Sequence, residues 1–174
     1  MSFQAIDCNN CSTLGSQLGV TLVPLASGRV GFLLSNVGSE SLNATGVYFD
    51  DAANVLADLF DVTDFSGVDF AEGGKPKNVK SGNKIDFVAE FLANAAKPTK
   101  ENGVEHGQNV QINFTLASGK NINDVIAALD SGDLRIGINA KKGYLSESGF
   151  VPEPSTLMLL AFGGLAAAWA ARRT

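Results

Sequence analysis

Asn109-Val110-Gln111-Ile112-Asn113-Phe114-Thr115-Leu116 decides the fold. Val110, Ile112, Phe114 and Leu116 alternate with Gln111, Asn113 and Thr115. A period of two puts the apolar side chains on one face of a strand and the polar ones on the other. Leu134, Ile136 and Ile138 repeat the pattern against Arg135, Gly137 and Asn139. Val30, Phe32 and Leu34 form a third stripe, and Val47 with Phe49 a fourth. Residues 20–25 and 85–92 read as further strands, while 55–62 reads as strand or short helix. Turn signals lie between them at Ser27-Gly28, Asn36-Val37-Gly38, Glu72-Gly73-Gly74, Ser81-Gly82-Asn83 and Asn102-Gly103, and residues 73–84 read as a mobile loop. Short, closely spaced strands with glycine-rich turns predict an all-β chain, a β-sandwich of jelly-roll-like type.

One helix interrupts the strands. Asn121 or Asn123 can cap a segment in which Val125, Ile126 and Leu129 share a face, and Gly132 can end it. Such a helix either packs across an open end of the sandwich or links two strands. The 174 residues carry 18 acidic and 13 basic side chains for a net charge of −5, which argues against nucleic acid and anionic membrane surfaces as partners.

Chemistry-bearing residues are sparse. His106 is the single histidine, and with no Gly-x-Ser-x-Gly elbow to join it, it reads as a solvated loop side chain. Cys8 and Cys11 have the two-residue spacing of redox and zinc motifs, but no second pair or βαβ pattern accompanies them. A short local disulfide is the expectation there. Asp50, Asp51, Asp58, Asp61, Asp64 and Asp69 are hard oxygen donors, yet their spacing fits no calcium loop, so solvated strand ends are expected. The expectation is a non-enzymatic body with no metal and no cofactor.

The C-terminus has a different character. Pro152-Glu153-Pro154 is followed by an uncharged run over residues 155–171 and then by Arg172 and Arg173. As a helix the run reaches roughly 25 Å, against a hydrocarbon core of ~30 Å, and the arginines would stay on the cytoplasmic side. A single transmembrane helix over 155–171 is therefore expected. Each proline biases the residue before it away from helix, so residues 151–154 should be extended and solvent-facing, where a processing enzyme can grip them. Residues 1–148 are expected to form one extracytoplasmic domain, and 149–174 a separate tail.

That tail, VPEPSTLMLLAFGGLAAAWAARR, resembles the PEP-CTERM sorting signal of exported proteins of Gram-negative bacteria. By the resemblance Pro152, Glu153 and Pro154 are the sorting motif, residues 155–171 the membrane segment, and Arg172 and Arg173 the membrane stop. The implied partners are the bilayer and exosortase, a membrane transpeptidase. The implied route runs from an inner-membrane precursor to the cell surface, outer membrane or extracellular matrix, with a link to exopolysaccharide and biofilm. The segments TGVYFDD (45–51), NGVEHGQ (102–108) and DVIAALDSGDLRIGI (124–138) are similar to those of other short PEP-CTERM proteins. Met1 to Gly19 contains no cation and no apolar run beyond two residues, so an export leader encoded upstream is a further expectation. The alternatives are a polysaccharide-binding or polysaccharide-active domain displayed by the same tail, or a permanently anchored periplasmic protein. The scarcity of tyrosine and tryptophan in the body counts against sugar stacking.

Overall fold

The computed structural model describes residues 1, 4–7, 14–39, 41–74, 77–142 and 145–151. The strands are β1 (Gln4–Asp7), β2 (Leu18–Leu25), β3 (Arg29–Asn36), β4 (Leu42–Asp51), β5 (Leu56–Asp64), β6 (Phe70–Glu72), β7 (Phe91–Ala95), β8 (Asn109–Leu116), β9 (Leu134–Lys142) and β10 (Leu145–Phe150). Two helices join them, α1 (Leu14–Gln17) and α2 (Ile122–Ser131). The strands form two antiparallel sheets, a larger one ordered β1-β10-β9-β4-β7-β6 and a smaller one ordered β2-β3-β8-β5. From β3 to β5 the chain changes sheet at every strand, and β8 returns to lie between β3 and β5 while β9 returns beside β4.

Register brings the apolar stripes together. Val30, Phe32 and Leu34 pair with Phe114, Ile112 and Val110, and in the larger sheet Val47 and Phe49 pair with Ile138 and Ile136. These two inner faces bury each other: the rings of Phe32 and Phe49 lie 5.0 Å apart, and those of Phe49 and Phe114 4.7 Å apart. Tilted and edge-on contacts at these distances add to the gain from area burial alone. Burial of each such side chain contributes about 1.5–3 kcal/mol.

Segment 55–62 resolves as strand. Register shifts between Leu56 and Asp58 and between Leu59 and Asp61 let Leu59 and Val62 both pack against the core despite their spacing. The helix start resolves at Asn121, whose side chain accepts from Asn123 N at 2.8 Å while Asp124 Oδ2 accepts from Asn121 N at 2.8 Å. This reciprocal box satisfies orphan donors of the first turn. Gly132 ends α2 at φ 80°, a left-handed conformation that glycine adopts without strain. The helix links β8 to β9 and buries Val125, Ala128 and Leu129.

Three expectations are corrected. Residues 85–92 are not one strand: a 3-10 turn covers Gly82–Ile85, Asp86 is left-handed at φ 50°, and the strand begins only at Phe91. The apolar residues of this stretch instead cover the outer face of the larger sheet, where Phe87 packs with Val79, Tyr48 and Leu92. For the same reason the described part of 73–84 is not simply a loop, since Val79 and Gly82 are buried. Val151 does not face solvent. β10 crosses the expected 148/149 boundary to Phe150, and Val151 is buried with its N–H donating to Ile136 O at 2.9 Å. Among the described residues no helix is long and apolar enough to cross a membrane, and residues 155–171 lie outside them.

Candidate functional site

The junction with the tail is built by β9 and β10. Phe150 pairs with Gly137 on one side and with Gln4 of β1 on the other, so β10 is held in the interior of the larger sheet to its last residue. Val151 adds one more ladder bond, and Pro152 follows immediately. Proline has no N–H to continue the ladder. Pro152, Glu153, Pro154, residues 155–171, Arg172 and Arg173 lie outside the described residues, as do Cys8 and Cys11.

Four of the six aspartates serve local structure. Asp51 is fully buried, and its two oxygens accept from Val55 N at 3.1 Å and Leu56 N at 2.7 Å, fixing the turn between β4 and β5. Burial pushes its carboxyl above the usual range against the pull of those two bonds. Asp64 accepts from Phe70 N at 2.9 Å and is likewise raised by burial. Asp50 is paired with Arg135, whose guanidinium also donates to Ile85 O at 2.7 Å and Asp86 O at 2.6 Å. Asp61 accepts from Thr63 Oγ1 at 3.2 Å, while Asp58 and Asp69 are exposed. Glu90 is raised by burial and then by the Asp51 and Asp50 charges. Among the described residues no group of three or more His, Cys, Asp or Glu side chains is placed to hold a metal ion.

His106 is exposed, as expected, and its Nδ1 donates to Gly38 O. It also borders a cavity of about 320 Å³ at the end of the sandwich where β4 begins and β9 ends. Among the described residues the wall comprises Lys100, Glu105 and His106 from the loop after β7, Ser39 and Ser41 from the approach to β4, Leu42 and Asn43 from the start of β4, and Lys141 from β9. Three contacts gather these segments. Asn43 pairs with Lys141 across the ladder, an Ala44–Val104 bridge brings in the loop, and Asn43 Nδ2 donates to Lys100 O at 2.6 Å. The Asn43 amide fits only because residue 103 is glycine, where a Cβ would collide with Oδ1. That Oδ1 is buried without a hydrogen-bond partner, a condition that costs about 1–3 kcal/mol. Lys141 Nζ is held by Thr99 Oγ1 at 3.0 Å. Sequence patterning does not reveal this cavity, because its walls are three separate segments and only the NGVEHGQ turn carries an unusual residue.

No curated protein and no solved structure matches the chain. Residues 150–173 match the family model of the PEP-CTERM protein-sorting motif, a stretch that takes in Pro152, Glu153, Pro154 and both arginines. Such a motif implies exosortase processing in general and a membrane-associated precursor that is later surface-exposed. Over residues 150–173, beginning at the last residue of β10 in a two-sheet β body, this chain carries a PEP-CTERM protein-sorting motif.

Proposed function

We propose that this is a non-enzymatic surface or extracellular-matrix protein, held in the inner membrane as a precursor by residues 155–171 and the Arg172-Arg173 stop, then cut by exosortase at its tail. The expected setting is exopolysaccharide and biofilm. The observation that carries this is the match to the sorting motif over residues 150–173, which starts at Phe150, the last residue of β10, and takes in Val151, whose N–H is held by Ile136 O. An enzyme that grips Pro152-Glu153-Pro154 reads backbone shape and charge, whereas a bilayer reads only length and hydrophobicity.

The test follows the mass of the C-terminus in a host with exosortase and in the same host lacking it. Wild type should be cut only in the first, and Glu153→Ala should accumulate uncut. Exchanging leucine for isoleucine at Leu159 and Leu160 should leave cutting unchanged. The same intact C-terminus for wild type and Glu153→Ala in both hosts would show that the tail is an anchor and nothing more.

A further inference from the structure

We infer that the folded body sets the upstream limit of tail cutting: β10 withholds every peptide bond through Val151-Pro152, and the first bond open to exosortase is Pro154-Ser155. Phe150 and Val151, although part of the matched motif, then serve the body rather than the enzyme, and the mature protein keeps β10 whole. This rests on the reading that exosortase cuts the tail, and it assigns the place of the cut.

An enzyme that opens a peptide bond takes up about three residues before it as an extended strand, pairing their N–H and C=O groups with its own backbone. While its sheet is closed, β10 cannot supply such a strand. Ser148, Gly149 and Phe150 pair with Asn139, Ile138 and Gly137 of β9, and on the other flank with Asp7, Ala5 and Gln4 of β1. Val151 is held twice, by the bond from its N–H to Ile136 O at 2.9 Å and by a side chain that belongs to the main core. Cutting before Pro152 would therefore require β10 to be drawn out from between two strands, with Val151 pulled from the core. Backbone that opens only with its sheet is closed to proteolysis in the folded state.

Proline narrows the choice further. The bonds Val151-Pro152 and Glu153-Pro154 would each expel a ring nitrogen that has no N–H for an enzyme to hold. A cut at Pro152-Glu153 would still claim Phe150 and Val151. At Pro154-Ser155 the residues taken up are Pro152, Glu153 and Pro154, none of which belongs to β10. Fully extended, they span about 10 Å. In the step itself the Pro154 carbonyl carbon passes from the Ser155 nitrogen to the enzyme's nucleophile, whose proton leaves with the Ser155 amine. Water or an acceptor amine then takes the acyl group.

The mature C-terminus should be mapped by mass in a host with exosortase. Pro154 or a later residue is the expected end, and an end at Glu153 or anywhere upstream would overturn the inference while leaving sorting intact. Intact tails both there and in a host lacking the enzyme would refute the sorting reading and the assigned limit together. The clamp is tested separately, on the full-length chain in detergent micelles treated with subtilisin. Cutting within residues 148–151 should be slow, and Val151→Gly, which keeps the N–H but removes the core side chain, should speed it about tenfold with β8 still protected from hydrogen exchange. Rapid wild-type cutting there, or equal rates for the two chains, would overturn the inference. Exchange in wild type gives a check that needs no variant: the Val151 amide should exchange about as slowly as those of β9, and free exchange would show that β10 withholds nothing.

Discussion

The inner and outer faces of β4 support two hydrophobic regions that are built by different means. Inward, Val47 and Phe49 join the main core, where most members come from strands of the two sheets and the backbone is secured by their ladders. Outward, Tyr48 meets Val79, Phe87 and Leu92, a small cluster roofed by residues 77–90 with no ladder of its own. Side chains fasten that roof. Arg135 donates to two of its carbonyl oxygens, Asp50 accepts from Val88 N at 3.0 Å, and Asn78 donates to Phe87 O. Apolar burial therefore drives both regions, but the inner one is locked by the sheets themselves and the outer one by a few polar anchors. Opening of the roof should not require opening of the sandwich.

Breaking the inner region has the largest expected effect. Phe114→Asp places an unpaired charge at a site with no exposed surface, and should cost about 4 kcal/mol or more. The thermal transition seen by circular dichroism should be lost or moved far down. Thr115→Asp, one residue along on the outward face, should stay within about 1 kcal/mol of wild type. If the two variants melt alike, the assignment of faces in β8 is wrong.

The outer region should yield more gently and locally. Phe87→Ala removes the largest side chain under the roof, and about 2–3 kcal/mol is expected because the site can partly collapse. The decisive measurement is hydrogen exchange. Protection should fall across 77–90 and at Tyr48 while β3 and β8 stay protected, and uniform loss across both sheets would show that the two regions are one cooperative unit.

The smallest effect sharpens the comparison at its edge, where Glu90 closes the roof beside Asp50 and Asp51. Its folded-state pKa is raised, so the native protein holds a proton that the unfolded chain has already released. Native stability then gains as pH falls from the raised value toward the ordinary one, about 4.3. Glu90→Gln removes this dependence. The variant should melt slightly above wild type at neutral pH, and the gap should close on acidification. A gap that widens would mean that Glu90 is stabilised as an anion.

Much of the inner region was legible because alternation there coincides with ladder pairing. The stripes at Val30–Phe32–Leu34 and Val110–Leu116 read directly, and Gly132 with Asn121 or Asn123 bracketed α2, the structure selecting Asn121. The roof defeats the same rule. Ile85, Phe87 and Ala89 alternate as a strand would, and only a non-local partner, Arg135 binding Ile85 O and Asp86 O, decides that this backbone lies across the sheet rather than in it. Val151 escaped for a related reason: proline chemistry at 152 describes what the next residue cannot do, not how far β10 extends. The cavity was illegible in principle, since Asn43, Lys100 and Lys141 meet only through strand register and a loop closure.

The burial and ladder bond of Val151 also have a mechanical side. Any tension applied through residue 152 reaches the body first through Val151 and β10. β10 is paired on both flanks, with β1 and β9. An axial pull loads those ladder bonds together, in shear, whereas a sideways pull on an edge strand would part them one by one like a zipper. Under a load along the strand, the first failure at β10 would thus be collective rather than gradual.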